Sequence, residues 1–137
     1  MQQLEMYQRA IRGTPEMESE ERPWGKWTVL NEGMGYKIKL LEVSPGHRLS
    51  LQFHQYRNEY WVVVSGMARV VIGDKISELG PMQSAIVPMR TIHRIENPYS
   101  QPVVILEVQQ GYKLVEEDIV RLQDDYHRGE INRRIEQ

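Results

Sequence analysis

The 137-residue sequence contains no cysteine, which removes disulfides, thiolate metal ligands and cysteine nucleophiles together. Any metal must then be held by nitrogen and oxygen ligands. A charge excess of either sign is also missing: 17 Lys+Arg against 19 Asp+Glu leave a formal charge of −2, without the basic surplus of a nucleic-acid binder. No window approaches the ~18 apolar residues of a membrane span. The amino-terminal MQQLEMYQRAIRGTPEMESEER is polar throughout and lacks the apolar region of a secretory signal. A cytoplasmic protein without nucleic-acid or membrane partners is therefore expected. The length fits one domain of roughly 100–200 residues, and 40% hydrophobic residues are enough for a core.

Residues 2–12 are good helix formers with Leu4, Tyr7 and Ile11 along one stripe, which predicts a short helix or arm. TPEMESEER over 14–22 reads as an acidic linker. Three parts result: arm and linker over 1–21, a domain over 22–128, and a charged tail over 129–137. From Trp24 to Gln109 the pattern is all β, with about eight short strands separated by Gly/Pro turns. They are expected at 24–30 with 35–44, 48–54 with 59–65, 67–73 with 75–78, 84–88 with 92–96, and 102–109. Such a series makes a sandwich or barrel, of which the jelly roll is one form. Residues 112–137 are expected to add a short extended piece and a surface helix.

The chemistry concentrates in Gly46–His54 and the next strand. As a strand, Gly46–His54 puts Leu49, Leu51 and Phe53 on one face and Arg48, Ser50, Gln52 and His54 on the other. A hairpin turn at Gln55–Asn58 would return Glu59 beside Gln52 and His54, and His93 on a later strand could reach the same place. Two imidazoles, a carboxylate and an amide oxygen suit Zn²⁺, Mn²⁺, Fe²⁺ or Ni²⁺. Alternation alone favours a half-buried sheet whose polar face meets water.

Spacing adds specificity. Gly46-x5-Gln52-x-His54-x4-Glu59-x6-Gly66 resembles the first cupin motif, G-x5-HxH-x4-E-x6-G, with Gln in place of its first His. Pro88-x4-His93-x3-Asn97 resembles the second, P-x-G-x2-H-x3-N, with Arg90 in place of its Gly. The resemblance implies an all-β cupin jelly-roll barrel with a short amino-terminal arm and a carboxy-terminal tail. Arg22-Pro-Trp-Gly25, Leu49-Ser-Leu-Gln52, Arg57-x-Glu59-x-Trp61, Val63-Val-Ser-Gly66, Glu107-Val-Gln109-x-Gly111 and Glu117-Asp-Ile-Val-Arg121 narrow it further. Together they are similar to the carboxy-terminal domain of type II mannose-6-phosphate isomerases, over about residues 22–128.

That resemblance implies a metal-dependent isomerase interconverting mannose 6-phosphate and fructose 6-phosphate. One divalent metal would sit on Gln52, His54, Glu59 and His93, with zinc expected and manganese, nickel, cobalt or iron as alternatives. The reaction needs a cation on the sugar oxygens, a base and a cation for the phosphate. Arg48, Arg57, Arg94 and Lys39 are candidates for phosphate or enediolate contact, because guanidinium grips phosphate as a fork. Arg57 and Arg94 are the preferred catalytic pair, and the base is left between Lys39 and a metal-bound water. Trp61 and Arg121 are assigned to substrate binding with Arg48. The partners expected are a sugar phosphate and a second copy of the chain. The family's guanylyltransferase has no room within these residues, so nucleotide-sugar synthesis by this chain alone is not expected.

Tyr56 and Tyr60 stand where family members often carry histidine, and Tyr126-His127-Arg128 where they carry Tyr-Gly-Arg. The rival readings are a sugar-phosphate-binding cupin without turnover and another cupin enzyme, an oxygenase or epimerase. His47 reads as a turn residue, His127 as surface, and Glu116–Asp118 as a solvated charge cluster.

Overall fold

The computed structural model describes residues 17–128 and, upstream, Gln2 alone. Twelve strands form in chain order. β1 (Ser19–Arg22), β2 (Gly25–Gly33) and β3 (Tyr36–Val43) are followed by β4 (His47–Arg48) and β5 (Leu51–Phe53). Next come β6 (Asn58–Ser65), β7 (Ala68–Ile72), β8 (Lys75–Leu79), β9 (Ser84–Val87) and β10 (His93–Asn97). β11 (Val103–Gln110) and β12 (Val120–Gln123) complete the set.

One sheet has the order β1-β2-β3-β11-β6-β9. The other runs β12-β5-β10-β7-β8, with β4 also paired to β10. Every pairing is antiparallel.

The inward rows of the central strands change character along their length. In β3 the row is Lys39, Leu41, Val43; in β6 it is Glu59, Trp61, Val63; in β11 it is Gln109, Glu107, Ile105, Val103, and all are buried. Because Ile105 lies opposite both Leu41 and Val63, and Glu107 opposite both Lys39 and Trp61, the apolar ends coincide and so do the polar ends. His93 and Ile95 repeat this on β10 in the facing sheet. One end of the interior is therefore a buried apolar plug of Val, Ile, Leu and Ala. The other end is a pocket of buried polar groups, whose desolvation requires partners.

Several expectations change. Ser19–Arg22, read as linker, is an edge strand paired to β2. The predicted helix over 2–12 lies outside the described residues, as does the tail beyond residue 128. The extended piece in the tail is β12, whereas Asp124–Arg128 form no helix. The segment expected as one strand over 48–54 is split into β4 and β5, and His47 is paired with Asn97 rather than left in a turn.

The pairs 48–54/59–65 and 84–88/92–96 are not hairpins. β5 and β6 lie in different sheets, as do β9 and β10. The residues between them carry the chain from one sheet to the other. Alternation reports which residues share a face; it does not report the partner strand.

Candidate metal centre

The polar face of the Arg48–His54 segment turns inward at its far end. Ser50, Gln52 and His54 are buried, while Leu51 and Phe53 are only half-buried. This reverses the usual polarity of a half-buried strand and rules out the water-facing alternative. Gln52 lies directly opposite His93 in the β5–β10 ladder. Glu59 reaches the same cavity from β6 in the facing sheet, so the expected neighbour relation across a hairpin is in fact a relation across the barrel.

The ligand atoms of His54, Glu59 and His93 all lie within 4.8 Å of one another, and all three residues are buried. His54 Nε2 is 3.0 Å from Glu59 Oε2, and His93 Nε2 is 3.9 Å from Glu59 Oε1.

Both imidazoles are fixed from behind. His54 Nδ1 is 2.6 Å from the Asp118 carbonyl and His93 Nδ1 is 2.9 Å from the Thr91 carbonyl. A carbonyl only accepts, so each Nδ1 carries a proton and each Nε2 faces inward. This is the outer-shell arrangement of metal-bound histidine. Burial pushes the His93 imidazole below its usual range, against the pull of Glu59, which favours the neutral ligand form.

Glu59 is gripped on both oxygens: Trp61 Nε1 donates to Oε1 at 2.9 Å and Arg57 Nε to Oε2 at 2.9 Å. Burial alone would raise the Glu59 carboxyl, but its contact with His54 and the Arg57 charge hold it well below the usual carboxylate range. Gln52 Nε2 donates to Ser50 Oγ at 3.0 Å and to the Ser50 carbonyl at 3.3 Å, leaving Oε1 as the acceptor. Two imidazole nitrogens and an ionised carboxylate thus converge, a set that positive charge beside it stabilises. Arg57 supplies part of this. The donor chemistry fits a divalent metal with nitrogen and oxygen preferences, held by His54, Glu59 and His93.

The other candidates separate. Lys39 lines the cavity, 2.7 Å from Glu116 Oε1 and with its ammonium 4.3 Å from the centre of the Trp27 ring. Arg57 Nη2 is 3.1 Å from His54 Nε2, so Arg57 touches two members of the centre. Trp61, 1% exposed, holds Glu59 and packs edge-on to the His93 ring.

Arg94 also borders the cavity, but its guanidinium is spent on the Leu49 carbonyl and on Gln123, at 2.8–3.2 Å. That clamp ties β12 to the sheet and leaves Arg94 poorly placed for substrate. Arg48 is outside the cavity lining and forms a fork with Asp125 at 2.7 and 2.9 Å. Arg121 lines the cavity. Tyr60, 41% exposed, points outward from β6, and Tyr56 packs edge-on to Tyr112. Neither lines the cavity, so these two departures from the family pattern leave the site intact.

Two groups were not singled out by the sequence reading. Glu107 is buried in the cavity wall, and Gln109 Nε2 donates to its Oε1 at 2.6 Å. Burial first, and then the Glu59 charge, push Glu107 up to about 8 despite Arg57 and Lys39. It therefore holds a proton near neutral pH. Its signal was present in the sequence: Glu107 and Gln109 continue the inward row of Val103 and Ile105.

Asp118, read as part of a solvated cluster, is buried. Its carboxylate accepts the Gln55 and Tyr56 amides at 2.8 and 3.0 Å while its carbonyl orients His54.

A twelve-stranded jelly roll with a buried His/Glu/His centre defines a cupin, or double-stranded β-helix, protein. Residues 14–124 match the family model described as "Mannose-6-phosphate isomerase C-terminal", and the chain belongs to that family. It is 46% identical over 107 residues to the alginate biosynthesis protein AlgA of Pseudomonas aeruginosa, covering 78% of this chain and 22% of that protein. It is 44% identical over 107 residues to the xanthan biosynthesis protein XanB of Xanthomonas campestris, covering 78% and 23%. The mannose-1-phosphate guanylyltransferase ManC of Salmonella typhimurium is 43% identical over the same length, covering 78% and 22%. The chain thus spans less than a quarter of the length of these relatives.

Among solved structures, oxalate decarboxylase from Bacillus subtilis superposes with a TM-score of 0.71 at 18% identity, over 78% of this chain and 30% of that one. A Klebsiella pneumoniae protein with a double-stranded beta-helix domain gives 0.61 at 19%, over 69% and 80%. At these identities the likeness concerns the fold. No helix among the described residues is long and apolar enough to cross a membrane.

Proposed function

We propose that this domain is a metal-dependent aldose–ketose isomerase interconverting mannose 6-phosphate and fructose 6-phosphate, with zinc on Gln52, His54, Glu59 and His93. Membership of the mannose-6-phosphate isomerase C-terminal family supports the substrate class. The observation that carries the chemistry is the placement of Glu107, a proton-holding carboxyl, in the same cavity as the buried His/Glu/His centre.

Aldose–ketose exchange moves a hydrogen between C2 and C1 and protons between the two oxygens. When bound, the metal would polarise those oxygens as a Lewis acid. Glu107 accepts the proton from one carbon and returns it to the other, ionised when a bound metal would offset the Glu59 charge that helps it hold its proton. Arg57, already seated against Glu59 and His54, lies where negative charge develops on the sugar oxygens. Lys39 contributes a cation at the cavity wall rather than a base, since Glu116 engages its ammonium. The proposal includes a cytoplasmic homodimer, which light scattering of the purified chain tests.

The activity is tested by incubating the metal-loaded protein with mannose 6-phosphate in deuterated water and following both sugars by NMR. Fructose 6-phosphate that gains solvent deuterium supports proton transfer by a protein group. No conversion contradicts the isomerase reading, and epimerisation at C2 without ketose would assign a different reaction.

A further inference from the structure

The cavity has a second pole, defined by one atom. Nε of Arg121 is the single buried side-chain nitrogen or oxygen among the described residues that has no hydrogen-bond partner. A buried guanidinium donor without an acceptor is costly and rare in native proteins. Arg121 sits on β12 opposite Gln52 in the β12–β5 ladder, so its side chain rises one strand away from the metal centre.

Arg22, at the end of β1, and Arg128, beyond β12, border the same cavity. Both carry charge that presses on Arg121, which burial, Arg128 and Arg22 hold below the usual arginine range against the pull of Asp124 and Glu116. Compensation is incomplete. Arg128 is forked by Asp124 at 2.9 and 3.0 Å, and Arg22 meets the half-exposed Glu20 at 3.3 Å and lies over the Trp27 ring, 5.9 Å from its centre. The remaining arginines near the site are committed elsewhere: Arg57 to Glu59, Arg94 to Leu49 and Gln123, Arg48 to Asp125.

We infer that Arg121, flanked by Arg22 and Arg128, forms the anion subsite of this cavity and binds the phosphate of a phosphorylated sugar whose reacting end faces the His/Glu/His centre. Phosphate suits this place because its several oxygens can meet the Arg121 guanidinium and a second one at once. The assignment rests on the proposed sugar-phosphate function and moves the phosphate-binding role away from Arg94 and Arg48.

Calorimetry on the metal-loaded full chain tests it, with inorganic phosphate and mannose 6-phosphate as titrants and metal content measured for each protein. The wild type is expected to bind both, with phosphate competing for the sugar phosphate. Arg121→Gln is expected to weaken both by at least about 30-fold, the loss of charge-assisted hydrogen bonds, with metal content unchanged. Arg121→Lys keeps the charge without the fork and should fall between; it also serves if the Gln variant folds poorly.

Wild-type affinity in both variants, or no phosphate binding by the wild type, overturns the subsite. Failure of the two readings is distinguishable. Lost phosphate affinity in Arg121→Gln without any turnover by the wild type keeps the subsite and removes the isomerase. Turnover with KM unchanged in Arg121→Gln does the reverse.

Discussion

The Asp118 carbonyl accepts a hydrogen bond from His54 Nδ1 at 2.6 Å, joining residues 64 positions apart in the sequence. The Asp118 carboxylate meanwhile holds the Gln55 and Tyr56 amides. One residue of the segment after β11 thus sets both the tautomer of His54, a candidate metal ligand, and the path of the chain from it to Glu59.

Replacing Asp118 by Ala should therefore loosen His54 without removing any ligand. Metal affinity is expected to fall about 10- to 100-fold, as when outer-shell partners are lost. Competition against a chromogenic chelator reads this directly; an affinity equal to wild type would show that His54 is held in place without the carboxylate.

Arg90 occupies the place of a glycine in the second cupin motif and adopts φ 64°, a left-handed conformation that costs a non-glycine residue about 1–2 kcal/mol. Glycine gives back about 0.5–1 kcal/mol of this in chain entropy. Arg90→Gly is therefore expected to stabilise the protein by roughly 0.5–1 kcal/mol, seen as a higher urea midpoint with unchanged slope. A lower midpoint would mean that the Arg90 side chain contributes more than its backbone costs.

Much of the site was legible because its spacing lies within short, regular stretches. Gln52, His54, Glu59 and His93 stand at the spacings of the two cupin motifs, and that resemblance marks them as one set, whereas strand alternation alone fits a polar row facing water. The choice of partner strands was not legible: Gln55–Asn58 reads as a hairpin turn, whereas the chain between β5 and β6 crosses from one sheet to the other. Glu107 reaches the centre only through the register of β11 with β6 and β3. Asp118 lies in a segment with no periodicity, where a run of acidic residues looks solvated until tertiary contacts bury it.

Glu107 gives a pH dependence with a definite sign. Its folded value, about 8, lies above that of an unfolded glutamate, so the folded state binds the extra proton and stability falls as pH rises from about 5 to about 8. Urea unfolding of chelator-treated protein across that range should show this slope, and Glu107→Gln should flatten it. An equal slope in both proteins would place the titration elsewhere.

The same substitution addresses catalysis. Glu107→Gln preserves shape and the contact with Gln109 but cannot carry the proton, so kcat should drop about 10²- to 10⁴-fold with metal content intact. A variant retaining full kcat would remove Glu107 from proton transfer.

The most direct test of the account is a coupled assay for fructose 6-phosphate formation from mannose 6-phosphate on protein of known metal content, before chelation, after it, and after metal is restored. The account predicts turnover that disappears with the metal, returns with it, and is missing from His54→Ala even at saturating metal. Turnover that survives complete metal removal, or no turnover from fully loaded protein, would contradict it.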